Sequence, residues 1–147
     1  MKIAHLVLSN VYAGIEQHVN ELISEQQKTC KVTLICNSQI KDKFDCSNII
    51  VVKNFSRNSP LGLFKLLLLI KKIDINLVHT HGSKTSRIIS LISPLLHIKH
   101  VATAHGIKKN TSPFMKANRL IAVSSKIQSL IDRDSIKALK KLMVLVL

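Results

Sequence analysis

What most constrains this chain is a repeated alternation: short aliphatic and β-branched runs of strand length, each followed by a polar break or a stretch with apolar residues at helical spacing. Lys2 to Leu8 is apolar and ends at Ser9 and Asn10, after which Ile15 to Gln27 carries Ile15, Val19, Leu22 and Ile23 on one helical face. Lys31 to Cys36 and Ile49 to Lys53 read as two further strands, both suited to a central position, with Asn37 to Asn48 as the loop between them. Ser59 and Pro60 open a Leu-rich helix that ends in Lys71 and Lys72, cations that suit a helix C-terminus. Past the break at Asp74 and Asn76 come a strand at Leu77 to Thr80, a helix from Ser83 to Ile92 stopped by Pro94, and a strand at His100 to Ala104. Arg119 to Val123 is the last strand, and Ser124 caps a final helix.

Strands that alternate with helices are joined by crossovers, and the sheet they make is open, mainly parallel and covered by helices on both faces: the doubly wound, Rossmann-like α/β class. The composition agrees. Apolar residues make up 46% of the chain and aromatic ones 3%, so the core is built of Ile, Leu and Val, the filling of a buried parallel sheet. A chain of 147 residues has room for one such domain.

Several function classes fall away at this level. The three cysteines, Cys30, Cys36 and Cys46, are odd in number and lack C-x-x-C spacing, which excludes a disulfide framework and a structural zinc site and reads as reduced thiols. The apolar run after Lys2 has only a strand's length and shows no export signal, so a cytoplasmic location is expected. The longest apolar stretch, Leu61 to Ile73, is interrupted by lysines and falls short of the roughly 20 residues that cross a bilayer, although it could lie on one. The formal net charge of +14, from 22 Lys and Arg against 8 Asp and Glu, favours an anionic partner: nucleic acid, acidic phospholipid or a phosphorylated carrier. Nucleic acid has charge alone in its favour, because Tyr12, Phe44, Phe55, Phe64 and Phe114 form no stacking pattern.

The unusual residues sit where strands end: Ala13-Gly14 before the first helix, His79-Thr80-His81-Gly82, and Thr103-Ala104-His105-Gly106. In a parallel sheet these ends share one rim, where ligands bind. A glycine ahead of a helix lets backbone N–H groups approach a phosphate, and equally serves a tight turn. His79 and His81 share a strand face if the strand continues through them, and His105 comes from another strand. A neutral imidazole donates to a sugar hydroxyl, an imidazolium sits beside a phosphate, and the same rings can simply satisfy groups at strand ends. H-x-H with a third histidine is also a ligand set, but no Asp or Glu joins it on this rim and no metal is expected. His97 and His100 read as surface or filler. There is no G-x-S-x-G elbow, Walker lysine loop or dinucleotide fingerprint.

Taken together, Ala13-Gly14-Ile15-Glu16-Gln17-His18-Val19, Leu77-Val78-His79-Thr80-His81-Gly82, Val101-Ala102-Thr103-Ala104-His105-Gly106 and Leu120-Ile121-Ala122-Val123-Ser124 resemble, in order and spacing, four motifs of the retaining glycosyltransferases of family 4. The likeness covers residues 1 to about 131. It implies the N-terminal, acceptor-side half of a GT-B fold, facing a C-terminal domain that holds most of a nucleotide-sugar donor. By position, His105 matches the histidine near the transferred sugar. Gly14 matches the loop glycine near the donor phosphates, with His81, Gly82 and Gly106 also lining the cleft, while Glu16, His18 and Lys84 are expected on the acceptor side. Ala13 departs from the family's second glycine, and Asn118 stands where an acidic residue is common.

The resemblance further implies sugar transfer to a saccharide or lipid-linked acceptor in cell-surface polysaccharide synthesis, with the nucleotide-sugar as substrate and no cofactor, on the inner face of the plasma membrane. Residues 132–147 match none of the family's continuation and are expected to form a divergent tail, as a truncated or shifted reading frame would leave. On this reading the donor-binding domain is absent, the chain is inactive alone, and a separate C-terminal chain or an anionic membrane is its candidate partner. The alternative reading is a basic peripheral module for anionic membranes.

Overall fold

The computed structural model describes residues 1–106, 111–137 and 144–146. Seven parallel strands form one sheet in the order β3-β2-β1-β4-β5-β6-β7. The strands are β1 (Lys2–Val7), β2 (Lys31–Cys36), β3 (Ile49–Val51), β4 (Leu77–His81), β5 (Lys99–Ala104), β6 (Arg119–Ala122) and β7 (Val144–Val146). Among the described residues four α-helices accompany them: α1 (Gly14–Gln26), α2 (Pro60–Lys72), α3 (Gly82–Ile92) and α4 (Ser125–Lys137).

The alternation of side chains along each strand distributes the helices. Val7 of β1 packs with Val32 and Leu34 of β2 against Val19 and Ile23 of α1. Ala4 and Leu6 point the other way, to a core made with Leu66, Leu67 and Ile70 of α2 and Ile88, Ile89 and Ile92 of α3. A third cluster joins Ala102, Ala104, Leu120 and Ala122 to Ile127 and Ile131 of α4, with Phe114 buried among them. Helices therefore cover both faces, as the doubly wound reading requires.

Local chemistry sets the helix starts. Ser59 caps α2, its Oγ accepting from the Gly62 N–H at 3.2 Å with Pro60 in the first turn, and Ser124 Oγ accepts from the Ile127 N–H at 3.3 Å at the head of α4. Ala13, in the family's glycine position, has φ −141° and ψ −159°, extended backbone that alanine adopts without strain. Asn118 keeps the acceptor an acidic residue would offer: its Oδ1 takes the His100 N–H at 2.7 Å.

Two expectations change. The Ile49 run is not central: β3 has three residues and forms the sheet edge, half-buried at most, because only β2 flanks it. α4 passes through residue 132 without a break, and Val144–Val146 pair with Leu120–Ala122 of β6, so part of the segment set apart as a tail lies in the sheet. Lys140, Lys141, Leu142 and Met143 lie outside the described residues.

Candidate functional site

Because every strand is parallel, all C-terminal ends open on one rim. The chain runs β1 to β3 in one direction across the sheet and β4 to β7 in the other, so the topological switch falls between the neighbours β1 and β4. A crevice forms at that point in doubly wound sheets. The loop after β1 leads into Gly14, β4 ends at His81 with Gly82 opening α3, and β5 ends just before His105 and Gly106. The three sequence motifs therefore meet beside the switch.

Strand β4 does continue through His81, and His79 and His81 share a face, their ring centroids 4.3 Å apart. Neither lies open: both are at most 5% exposed. His79 Nε2 is 2.7 Å from Thr103 Oγ1. His81 Nε2 lies 3.0 Å from His5 Nδ1, and His81 Nδ1 lies 3.4 Å from His105 Nε2. His105 is half-buried, and its ring meets that of His18 on α1 edge-on at 5.1 Å. Among the described residues, these histidines bond to side chains: Thr103, His5 and each other. His100 is a buried filler, its Nε2 2.8 Å from Thr80 Oγ1.

Burial decides the charge of the cluster. It pushes His105 down to about 4, with His18 adding to the drop and Glu16 opposing it. His5 falls to about 4 for the same reason, against a hydrogen bond to Gln26 Oε1 that favours the proton. His79 and His81 are held well below the ordinary value by burial first and by their neighbouring imidazoles second. At neutral pH His105 is thus an uncharged donor and acceptor, which suits a sugar hydroxyl and not a phosphate.

His5, His79 and His81 bring one ring nitrogen each to within 4.8 Å of one another. His5 Nδ1 and His81 Nε2 face each other at hydrogen-bond distance, and no carboxylate joins the trio, so a divalent cation there would be held by neutral imidazoles alone.

Around the histidines, Gly14 and Gly106 are exposed, and a Cβ on either would meet nothing within 4 Å. The chain's own packing does not demand glycine at those places. Gly82 differs, with φ +82°, a left-handed conformation at the head of α3. Glu16 is buried, and its carboxylate accepts the Ala13 N–H at 3.0 Å, so it holds the first turn of α1 instead of facing the cleft. Lys84 reaches across the switch to the Asn54 side chain and, at 3.5 Å, to the Leu8 carbonyl, and partial burial lowers its affinity for a proton.

The sequence reading missed His5, Gln26 and the asparagines. Asn10 accepts from Asn37 at 2.7 Å and also from Asn54, so residues just past β1, β2 and β3 lock the rim together. Their shared position, directly after consecutive parallel strands, is the signal that could have found them. His5 gave no such signal, because one histidine within an apolar strand looks like filler until β1 is placed beside β4.

A family model described as Glycosyltransferase Family 4 matches residues 12–144. The chain belongs to that family. Its fold is the Rossmann-like N-terminal half of GT-B enzymes. Anabaena HepE, in complex with UDP and glucose, is similar at TM-score 0.73 and 17% identity over 99% of this chain and 43% of that one. The lipopolysaccharide outer core galactosyltransferase WaaB gives TM-score 0.70 and 17% identity, over 99% and 45%. Sucrose-phosphate synthase from Thermosynechococcus elongatus gives 0.69 and 13%, over 99% and 47%. The family 4 chain thus spans less than half the length of these structures. No curated protein matches its sequence.

The motifs that carry the family likeness fall on the rim described above, where the geometry gathers imidazoles and uncrowded glycines. Among the described residues no helix is long and apolar enough to cross a membrane. All three cysteines are free; Cys36 is buried, and burial raises its thiol to about 11, which leaves it unreactive.

Proposed function

We propose that this chain supplies the acceptor-side wall of a retaining glycosyltransferase that moves a sugar from a nucleotide-sugar to a saccharide or lipid-linked acceptor in cell-surface polysaccharide synthesis. The observation that carries the reading is His105: neutral, half-buried, at the switch point, and flanked by the open backbone of Gly14 and Gly106. A neutral imidazole there hydrogen-bonds a hydroxyl of the transferring sugar. The α1 N-terminus beside Gly14 offers unpaired N–H groups and the positive end of the helix dipole to the donor phosphates. His18 packs against His105 and narrows its freedom to turn.

Rate enhancement in such a cleft comes from positioning and from charge stabilisation on both walls. One wall alone is therefore inactive, and the donor's nucleotide is held chiefly by a second domain. Titrating the folded chain with UDP-sugars and GDP-sugars, with and without a family-like C-terminal domain, tests this. Binding and turnover only with the added domain are expected. Turnover by the chain alone, or silence in both arms, would overturn it.

A second reading rests on α2. Leu66, Leu67 and Ile70 of that helix face the core, but Leu61, Phe64 and Leu68 are more than half exposed and lie at helical spacing on one side. Lys65, Lys71 and Lys72 flank them on a chain of net charge +14. This stripe suits the anionic inner face of the plasma membrane, where a lipid-linked acceptor is held. Sedimentation with anionic vesicles should retain the protein at low salt and lose it in the Leu61→Ser, Phe64→Ser double variant. Equal binding by that variant would remove the stripe from the account.

A further inference from the structure

His105 is the end of a chain of hydrogen bonds that begins at the C-terminal end of α1. Gln26 Oε1 lies 2.8 Å from His5 Nε2, His5 Nδ1 lies 3.0 Å from His81 Nε2, and His81 Nδ1 lies 3.4 Å from His105 Nε2. Four residues from α1, β1, β4 and the end of β5 are thus joined in one line, although 79 positions separate Gln26 from His105 in the sequence.

A neutral imidazole has one N–H and one lone pair, so in a line of such rings each donates at one nitrogen and accepts at the other. The direction is set at the Gln26 end, where the carboxamide turns its oxygen, and not its NH2, toward His5 Nε2. A carboxamide oxygen can only accept. With Gln26 Oε1 at the end, His5 carries its proton on Nε2 and accepts at Nδ1. His81 must then donate from Nε2 and accept at Nδ1, and His105 must donate from Nε2.

We propose that Gln26 is a positioning residue of the transfer site, fixing through His5 and His81 the tautomer in which His105 keeps its proton on Nε2 and offers Nδ1 as an acceptor. This rests on the reading of His105 as the sugar-facing histidine.

The surroundings favour such a relay. His5 and His81 are fully buried or nearly so, which keeps water from supplying alternative partners. Burial also disfavours protonation of the rings, and a second proton on any of them would break the alternation. His79 lies beside the line, its ring 5.1 Å from that of His5, but its Nε2 is engaged by Thr103 Oγ1, so it does not compete. A residue two side chains removed from His105 would in this way decide whether a substrate hydroxyl meets an acceptor or a donor.

Long-range proton–nitrogen correlation spectra of the intact, isotopically labelled chain report directly which ring nitrogen of each histidine is protonated. In the wild-type protein His5, His81 and His105 should each show a protonated Nε2 and an unprotonated Nδ1. Gln26→Glu, which can also only accept, should preserve that pattern. Gln26→Leu should replace the single His105 tautomer with averaged signals from both ring nitrogens. The wild-type spectrum decides the matter even if the leucine variant does not fold: an Nδ1-protonated or mixed His105 overturns the proposal. So does a His105 pattern unchanged in a folded Gln26→Leu protein. Added Zn²⁺ that abolishes the His5 and His81 N–H signals at one equivalent would show that these nitrogens serve a metal instead, and would also overturn it. No donor or acceptor is present in these measurements, so failure of sugar transfer and failure of the relay are read separately.

Discussion

Gly14 and Gly82 both open a helix at the rim, and the backbone separates their reasons. Gly82 has φ +82°, so any Cβ there is strained; Gly82→Ala should cost about 1–3 kcal/mol, measured by chemical denaturation. Gly14 has neither a left-handed φ nor a neighbour within 4 Å of an added Cβ. Gly14→Ala should leave the denaturation midpoint where it is and weaken nucleotide-sugar binding in the complemented enzyme, since a methyl group would occupy the approach to the α1 N–H groups. His105→Ala should lower kcat of the complemented enzyme by roughly 100-fold to 1,000-fold, the size of loss seen when one preorganised hydrogen-bonding group is removed from a cleft. Its KM should change little if His105 acts on the developing charge, whereas a rise in KM with kcat intact would reassign it to substrate binding.

At the scale of elements, α2 shows how one helix serves two environments. Its buried side closes the core under β1 and β4, while its first turn is crowded by Phe55 of the preceding loop. A Cβ on Gly62 would stand 2.5 Å from Phe55 Cγ and 3.0 Å from its Cβ, atoms near the root of the side chain that cannot swing aside. Gly62→Ala should therefore destabilise the protein by about 1–3 kcal/mol despite alanine's better helix propensity. A gain in stability on thermal melting would mean that the loop carries Phe55 away at little cost. The same contact walls a groove of about 330 Å³ lined by Phe55, Leu61, Leu66 and Leu69 with Lys53 and Lys65 at its edge. Moving Phe55 would reshape that groove.

Across the whole molecule the distinctive quantity is the number of buried neutral histidines. Folding holds His5, His79, His81, His100 and His105 below their ordinary value of 6.5, three of them at about 4. The unfolded chain binds more protons than the native one wherever pH lies between those values, so stability rises with pH there. The contribution is complete above about 6.5 and is lost progressively as pH falls toward 4. Denaturation at stepped pH should show stability falling more steeply than about 1.4 kcal/mol per pH unit below pH 6, the slope of a single such group. A flat profile would mean that the cluster is hydrated and protonates in the native state.

The order of strands and helices from β1 to α4 followed from the sequence to within a residue or two at most boundaries, because apolar periodicity, the Ser59-Pro60 start and the stop at Pro94 act over a few positions of chain. The ordered glycine and histidine motifs marked the rim for a similar reason: a parallel sheet sends every strand end to one side, so a motif placed after a strand is placed on the rim. Two things were decided by tertiary structure alone. β3 became an edge because strand order depends on crossovers, which local pattern does not encode. His5 joined the histidine cluster because β1 pairs with β4, bringing His5 opposite His79 across 74 positions of chain. Periodicity fixes which face a side chain takes, whereas the partner it finds on that face is set by which strands lie side by side.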